Sequence, residues 1–248
     1  MTDAHAHLDA CDEPAAILVE RAREAGVTRI VTIGTGIDSC RAALAIADAH
    51  EGVFAAFGID PHQAGSPEAG RLDELRELLA HPKAVAVGET GLDTVRRYST
   101  PSQQRQLFDA QLALAEELGL PLVVHNREAD EETTSALEHY SGTVVLHCFS
   151  SPDLAALAVE RGYYVSFAGN ATYPKSASLR EAATVIPRDR ILVETDSPYL
   201  APQSVRGKPN EPGNVVHTIR ALADVRRETF EELAAATHSN AAAAFGLP

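Results

Sequence analysis

A chain of 248 residues that is 45% hydrophobic can bury a large core, and its net charge of −14 argues against a non-enzymatic nucleic-acid binder, whose expected footprint is a basic face. That acidic balance disfavours loose attraction to polyanions, although bound cations would reverse its sign locally. No stretch reads as a charged-then-apolar signal peptide, and no run of some 18 apolar residues reads as a membrane span. The three scattered cysteines, Cys11, Cys40 and Cys148, read as reduced thiols in a cytoplasmic protein.

In chain order, short β-branched runs alternate with longer helical ones. The opening MTDAHAH is followed by strand candidates at 28–34, 53–58, 84–89, 121–125, 143–148, 163–169 and 191–196. EPAAILVERAREAG (13–26) and DSCRAALAIADAHEG (38–52) read as helices that stop at glycine. Thr100–Pro101–Ser102–Gln103 reads as an N-cap, first-turn proline and capping-box glutamine opening a helix through Leu118. The tail from about Arg227 to Phe245 reads as an extra helix packed on the outside. Strands apolar on both faces and alternating with helices imply a parallel sheet covered by helices. About eight such units predict an α/β fold, a (β/α)8 TIM barrel, as a single domain over 1–248. A doubly wound open sheet is the alternative, but GTGID (34–38) is too short for its glycine-rich fingerprint.

The stretch DAHAHLD carries His5 and His7 one residue apart, so in a strand both imidazoles share a face. Alone, that spacing is weak. It gains weight because the apolar runs also end at Glu89 in VAVGETGLD, His125 in PLVVHNRE, His147 in VVLHCFSS and Asp196 in ILVETDSPYLAP. In a closed parallel barrel the carboxyl ends of the strands gather at one mouth. Four histidines and two carboxylates there are a ligand set for Zn²⁺, Mn²⁺ or another divalent cation. Cys148, beside His147, is expected to face the opposite way as a small buried residue.

These stretches, together with GIDPHQ and RGKPNEP, resemble in sequence and order those of the TatD family of metal-dependent deoxyribonucleases, a branch of the amidohydrolase-like barrels. The resemblance implies two divalent ions, Zn²⁺, Mn²⁺ or Mg²⁺. His5, His7 and Asp196 would hold one, His125 and His147 the other, and Glu89 would bridge both, since a carboxylate can span cations about 3.5–4 Å apart. It further implies that Asp196 and Glu89 are catalytic, with Asp196 holding a water and accepting its proton, and that DNA, most readily single-stranded, is the substrate. No membrane and no stable protein partner is implied.

His62 resembles the family's substrate-facing histidine; the bland alternative is a solvated loop residue. Arg127 would meet a phosphate or pair with Glu128 or Asp130. Arg206 and Lys208 lie in the loop after the last strand, with Asn210 and Glu211 helping to organise it. Tyr199 is a pocket wall or core. Two positions depart from the family pattern: Asp60 stands where a histidine is usual, and Thr94 where an aromatic residue is usual. Both weaken the inference to DNA without touching the ligand set. An amidohydrolase or esterase acting on an aminoacyl ester or lactone is therefore the rival reading, and a catalytically silent scaffold the third.

Overall fold

Strands apolar on both faces need cover on both sides, and a barrel ringed by helices provides it. The computed structural model of the chain describes residues 1–248. Eight strands, β1 (Thr2–Ala6), β2 (Arg29–Gly34), β3 (Val53–Phe57), β4 (Ala84–Asp93), β5 (Leu122–Arg127), β6 (Val144–Leu146), β7 (Tyr164–Phe167) and β8 (Ile191–Val193), form one parallel sheet in sequential order. The edges meet beyond β8: Ala6 and Ser197 form a parallel bridge, Asp196 N donates to His5 O (2.9 Å), and His7 N donates to Ser197 O (2.7 Å). The predicted TIM barrel is the observed fold.

The helices are α1 (Ala15–Glu24), α2 (Ile37–Ala49), α3 (Leu72–Leu79), α4 (Pro101–Leu118), α5 (Asp130–Ala136), α6 (Ala155–Arg161), α7 (Ala177–Val185), α8 (Val215–Arg226) and α9 (Phe230–Phe245). The capping box at Thr100 forms as its sequence predicts, and α4 ends at Gly119 in the left-handed region. No helix is long and apolar enough to cross a membrane. The extra helix α9 has its own capping box at Thr229. Its last turn does more than pack outside. Phe245 and Leu247 join the inner core with Val31, Val123, Val145 and Leu192, while Thr2 Oγ1 bonds to His238 Nδ1 (2.8 Å), so the tail closes the end of the barrel opposite the strands' carboxyl ends.

Strand periodicity aims the side chains. Val123, Val145 and Leu192 belong to the inner core, whereas their neighbours Leu122, Val124, Val144, Leu146, Ile191 and Val193 face the helices. A step of two along each strand therefore places His125, His147 and Glu194 toward the axis. Several predicted strand ends move. β4 runs four residues past Glu89 because Thr90–Asp93 pair with Val124–Arg127 of β5. β6 and β8 are shorter than predicted, so His147 and Asp196 lie just beyond their strands.

Gly91 pairs with His125 and has a φ of +133°; a Cβ there would fall 2.1 Å from His125 O. Only glycine allows β4 and β5 this approach. Gly91→Ala is expected to cost more than about 2 kcal/mol through strain and overpacking. Thermal denaturation should show the loss, and elemental analysis of refolded protein should show reduced divalent-metal uptake, because the change displaces His125.

Candidate metal centre

At the carboxyl mouth, β1 supplies His5 and the residue after it supplies His7, β4 supplies Glu89, β5 supplies His125, and the segments after β6 and β8 supply His147 and Asp196. Glu89 is buried among them, and its two oxygens face different partners. Oε2 lies 3.5 Å from His5 Nε2 and 3.7 Å from His7 Nε2. Oε1 lies 2.6 Å from His125 Nδ1 and 3.1 Å from His147 Nε2. Asp196 Oδ1 joins the first group, 3.3 Å from His7 Nε2 and 3.7 Å from His5 Nε2, and the two Nε2 atoms are 3.3 Å apart. In the second group His125 Nδ1 and His147 Nε2 are 3.3 Å apart.

This donor set fits divalent cations. Ligand atoms at the corners of a tetrahedron with bonds of about 2.0–2.1 Å are about 3.3 Å apart, close to the spacing in the first group. Buried carboxylates need compensating positive charge, and the imidazole nitrogens turned toward them are the usual co-ligands. The electrostatics show the same demand. Burial opposes charge on Glu89, yet the charge of His147 and hydrogen bonds from His125 and His147 hold it well below the carboxylate range. At His7 burial is outweighed by the hydrogen bond and charge of Asp196, raising it to about 9. At His5 burial prevails, and the neighbouring His147 adds to it, so its pKa is lowered.

Further carboxylates orient these groups. Glu194 Oε1 accepts from Cys148 N (2.8 Å) and lies 3.3 Å from His147 Nδ1, leaving Nε2 free to face Glu89. Asp3, fully buried, accepts from Thr195 N (2.9 Å), Thr195 Oγ1 (2.6 Å) and His5 N (3.3 Å), and burial pushes its pKa up to about 8. Asp93 uses both oxygens. Oδ2 lies 2.9 Å from His62 Nε2 and 3.4 Å from His125 Nε2; Oδ1 accepts from Val95 N and Arg96 N, each at 2.8 Å. Sequence reasoning quoted GETGLD and ETD but assigned no role to Asp93 or Glu194. The signal was present in Glu194, two residues before Asp196 on the axis-facing register.

The cluster opens into a cavity of about 640 Å³. Arg127 lines it and makes no ion pair; Asp130, its expected alternative partner, instead accepts from Asn126 Nδ2 (2.6 Å) and Ser151 Oγ (2.8 Å). Arg96, absent from the sequence reading, also lines it. Tyr199 is a wall, half-exposed, with its ring 5.9 Å from that of His7. Arg206 lies outside the cavity, over the Tyr173 ring at 4.4 Å, and Lys208 is exposed. Asn210 is buried, and its Nδ2 donates to Thr195 O (2.9 Å) and Tyr199 O, tying the loop after β8 to the site. Glu211 pairs with Arg21 of α1. Cys148 corrects an expectation: it lines the cavity beside His147. The chain has left β6 by then, and a φ of +44° turns the residue off strand alternation.

His62 reaches the cavity with both nitrogens engaged, Nδ1 to Asp60 Oδ2 (2.8 Å) and Nε2 to Asp93. Asp60 thus has a local role: its other oxygen, Oδ1, accepts from Gln63 N (3.2 Å) in the turn that carries His62. Thr94 turns aside, donating to Glu128 O (2.7 Å).

Fold and site together define a metal-dependent hydrolase built on a TIM barrel. Residues 2–246 match the family model described as TatD related DNase, and the chain belongs to that family. It is 40% identical over 259 residues to the uncharacterized metal-dependent hydrolase TatD of Mycobacterium tuberculosis, covering 100% of this chain and 98% of that one. It is 39% identical over 241 residues to a 3'-5' ssDNA/RNA exonuclease TatD of Erwinia amylovora, covering 93% of each. Among solved structures, YJJV, a TatD homologue from Escherichia coli, superimposes with a TM-score of 0.94 at 30% identity, covering 100% of this chain and 98% of that one. The protein is accordingly an enzyme that hydrolyses ester bonds.

The bracket around His62 has a pH signature. The hydrogen bond and charge of Asp60, aided by Asp93, raise its pKa to about 9 against an ordinary 6.5. The folded state therefore keeps a proton that the unfolded chain loses, and the stabilisation is complete below pH 6.5 and fades as pH rises through 9. Thermal melts of wild type and His62→Gln across this range should show the difference in Tm shrinking toward pH 9. A difference that stays constant would contradict the assignment.

Proposed function

We propose that the protein hydrolyses phosphodiester bonds of single-stranded DNA with two divalent ions, Zn²⁺, Mn²⁺ or Mg²⁺, held by His5, His7, Glu89, His125, His147 and Asp196. The observation that carries this reading is the division of Glu89: one oxygen faces His5 and His7, the other faces His125 and His147. A carboxylate so divided is suited to bridging two cations. When bound, such a pair supplies Lewis-acid stabilisation of the attacking and leaving oxygens.

The chain's own groups do the rest. Asp196, which burial would neutralise but hydrogen bonding and charge from His7 keep ionised, holds the attacking water and accepts its proton. Glu89 keeps the two halves of the site in register. Arg96 and Arg127, both without ion pairs, face the cavity where a phosphodiester would enter, and guanidinium groups suit phosphate oxygens. His62, clamped between Asp60 and Asp93, forms part of the cavity wall. The name of the Erwinia amylovora relative, an ssDNA/RNA exonuclease, supports nucleic acid as the substrate class.

The test is direct. Metal-reconstituted protein should degrade single-stranded oligonucleotides, and chelation should abolish turnover. Elemental analysis should give about two ions per chain. Glu89→Gln should lower kcat by at least about 10³-fold, the scale of losing a group that organises both halves of the site. A panel of aminoacyl esters and lactones run alongside discriminates the rival: rapid ester turnover with intact oligonucleotides would overturn the nuclease reading.

A further inference from the structure

The connection from β4 to α4 is built more firmly than a solvated loop requires. Asp93 Oδ1 holds Val95 N and Arg96 N, Thr94 Oγ1 donates to Glu128 O (2.7 Å), and Ser99 Oγ donates to Pro61 O (2.7 Å), next to His62. This pinned loop exposes Thr94, Val95, Arg96, Arg97 and Tyr98, and the charged and aromatic side chains among them are Arg96, Arg97 and Tyr98. Tyr98 is 72% exposed, the most exposed of the large hydrophobic residues. Its ring stands perpendicular to that of His62, at 89° with centroids 5.7 Å apart, so it packs edge-on against a residue that lines the cavity of the metal centre while remaining open to solvent itself.

The surroundings specify what would cover it. Arg96 lines the cavity of the metal centre, whereas Arg97 and Tyr98 line a second cavity of about 690 Å³ on the other side of the loop. Neither arginine forms an ion pair, in a chain whose net charge is −14. A solvent-open aromatic flanked by two uncompensated guanidinium groups is the pattern used to hold a single strand, with bases stacked on rings and phosphates on cations. A purely apolar partner would leave the arginines unused, and duplex DNA would keep its bases stacked away from the ring.

We propose that Tyr98, Arg96 and Arg97 form a nucleobase-stacking subsite, in which Tyr98 stacks the base of a nucleotide neighbouring the one cleaved and the two arginines hold the flanking phosphates. The inference rests on the nucleic-acid reading above and adds the contact that selects a single-stranded substrate.

A chemical double-mutant cycle tests it. The metal-reconstituted enzyme is assayed on a short single-stranded oligothymidylate and on a series in which each nucleotide in turn is replaced by a base-free tetrahydrofuran residue. With wild type, loss of the base at one position near the cleavage site should raise KM roughly tenfold, as expected for one stacked base. With Tyr98→Ala, KM on the intact oligonucleotide should rise by a similar factor, and removing that same base should add nothing. Tyr98→Phe, which keeps the ring, should retain the wild-type dependence. If wild type cleaves the oligonucleotides but the two losses simply multiply, or Tyr98→Ala leaves KM unchanged, the subsite is wrong and the nuclease reading stands. If the wild-type enzyme cleaves none of them, the nuclease reading fails and the subsite with it.

Discussion

One buried carboxylate organises this molecule. Glu89 stands between four imidazoles, all within 3.7 Å of one or other of its oxygens. A lone carboxylate this deeply buried would be costly and would tend to take up a proton. Its charge is retained because imidazoles face it on both sides, and the charge of His147 with hydrogen bonds from His125 and His147 outweighs burial. Those groups come from strands that are distant in sequence and meet only because the sheet closes through Ala6 and Ser197. Closure of the barrel and completion of the site are therefore one geometric event.

Asp93 extends that coupling outward. Through one oxygen it contacts His125 and His62, and through the other it holds the backbone of the loop bearing Arg96. A rigid strand end thereby fixes both a candidate ligand and the rim that substrate would meet. This is possible because β4 continues past Glu89 in register with β5, and the glycine at 91 lets the two backbones approach. A conventional side chain at that position would separate the metal centre from its rim.

The charge distribution has a consistent physical logic. Some of the arginines are matched with carboxylates, as in the Arg41, Arg71 and Arg76 pairs, which contribute little to stability at an exposed surface. Arg96 and Arg127 are among the arginines without a carboxylate partner, and both line the cavity of the metal centre. An acidic protein can thus attract a polyanion locally while repelling it elsewhere, which favours attack at one place over diffuse binding.

How much of this was legible depended on whether a signal was local. The strand–helix alternation, the capping box at Thr100 and the polar residue ending each apolar run are properties of a few neighbouring residues, so they pointed to the barrel and to the side chains at its mouth. Strand ends were less legible: Glu89 lies within β4, because pairing with β5, not local pattern, determines where a strand stops. Cys148 was misjudged for a related reason, since strand alternation does not apply once the chain has turned off β6. Asp60 departs from the family pattern, and its role is visible only in space, where it pairs with His62. By itself the sequence determined the architecture and the chemical types gathered at one end of it. Only the tertiary structure decided which oxygen of Glu89 faces which imidazole, that Asp93 joins His62 to His125, and that Tyr98 packs against His62. Those are distances between residues remote along the chain, and they are set by strand register and barrel closure.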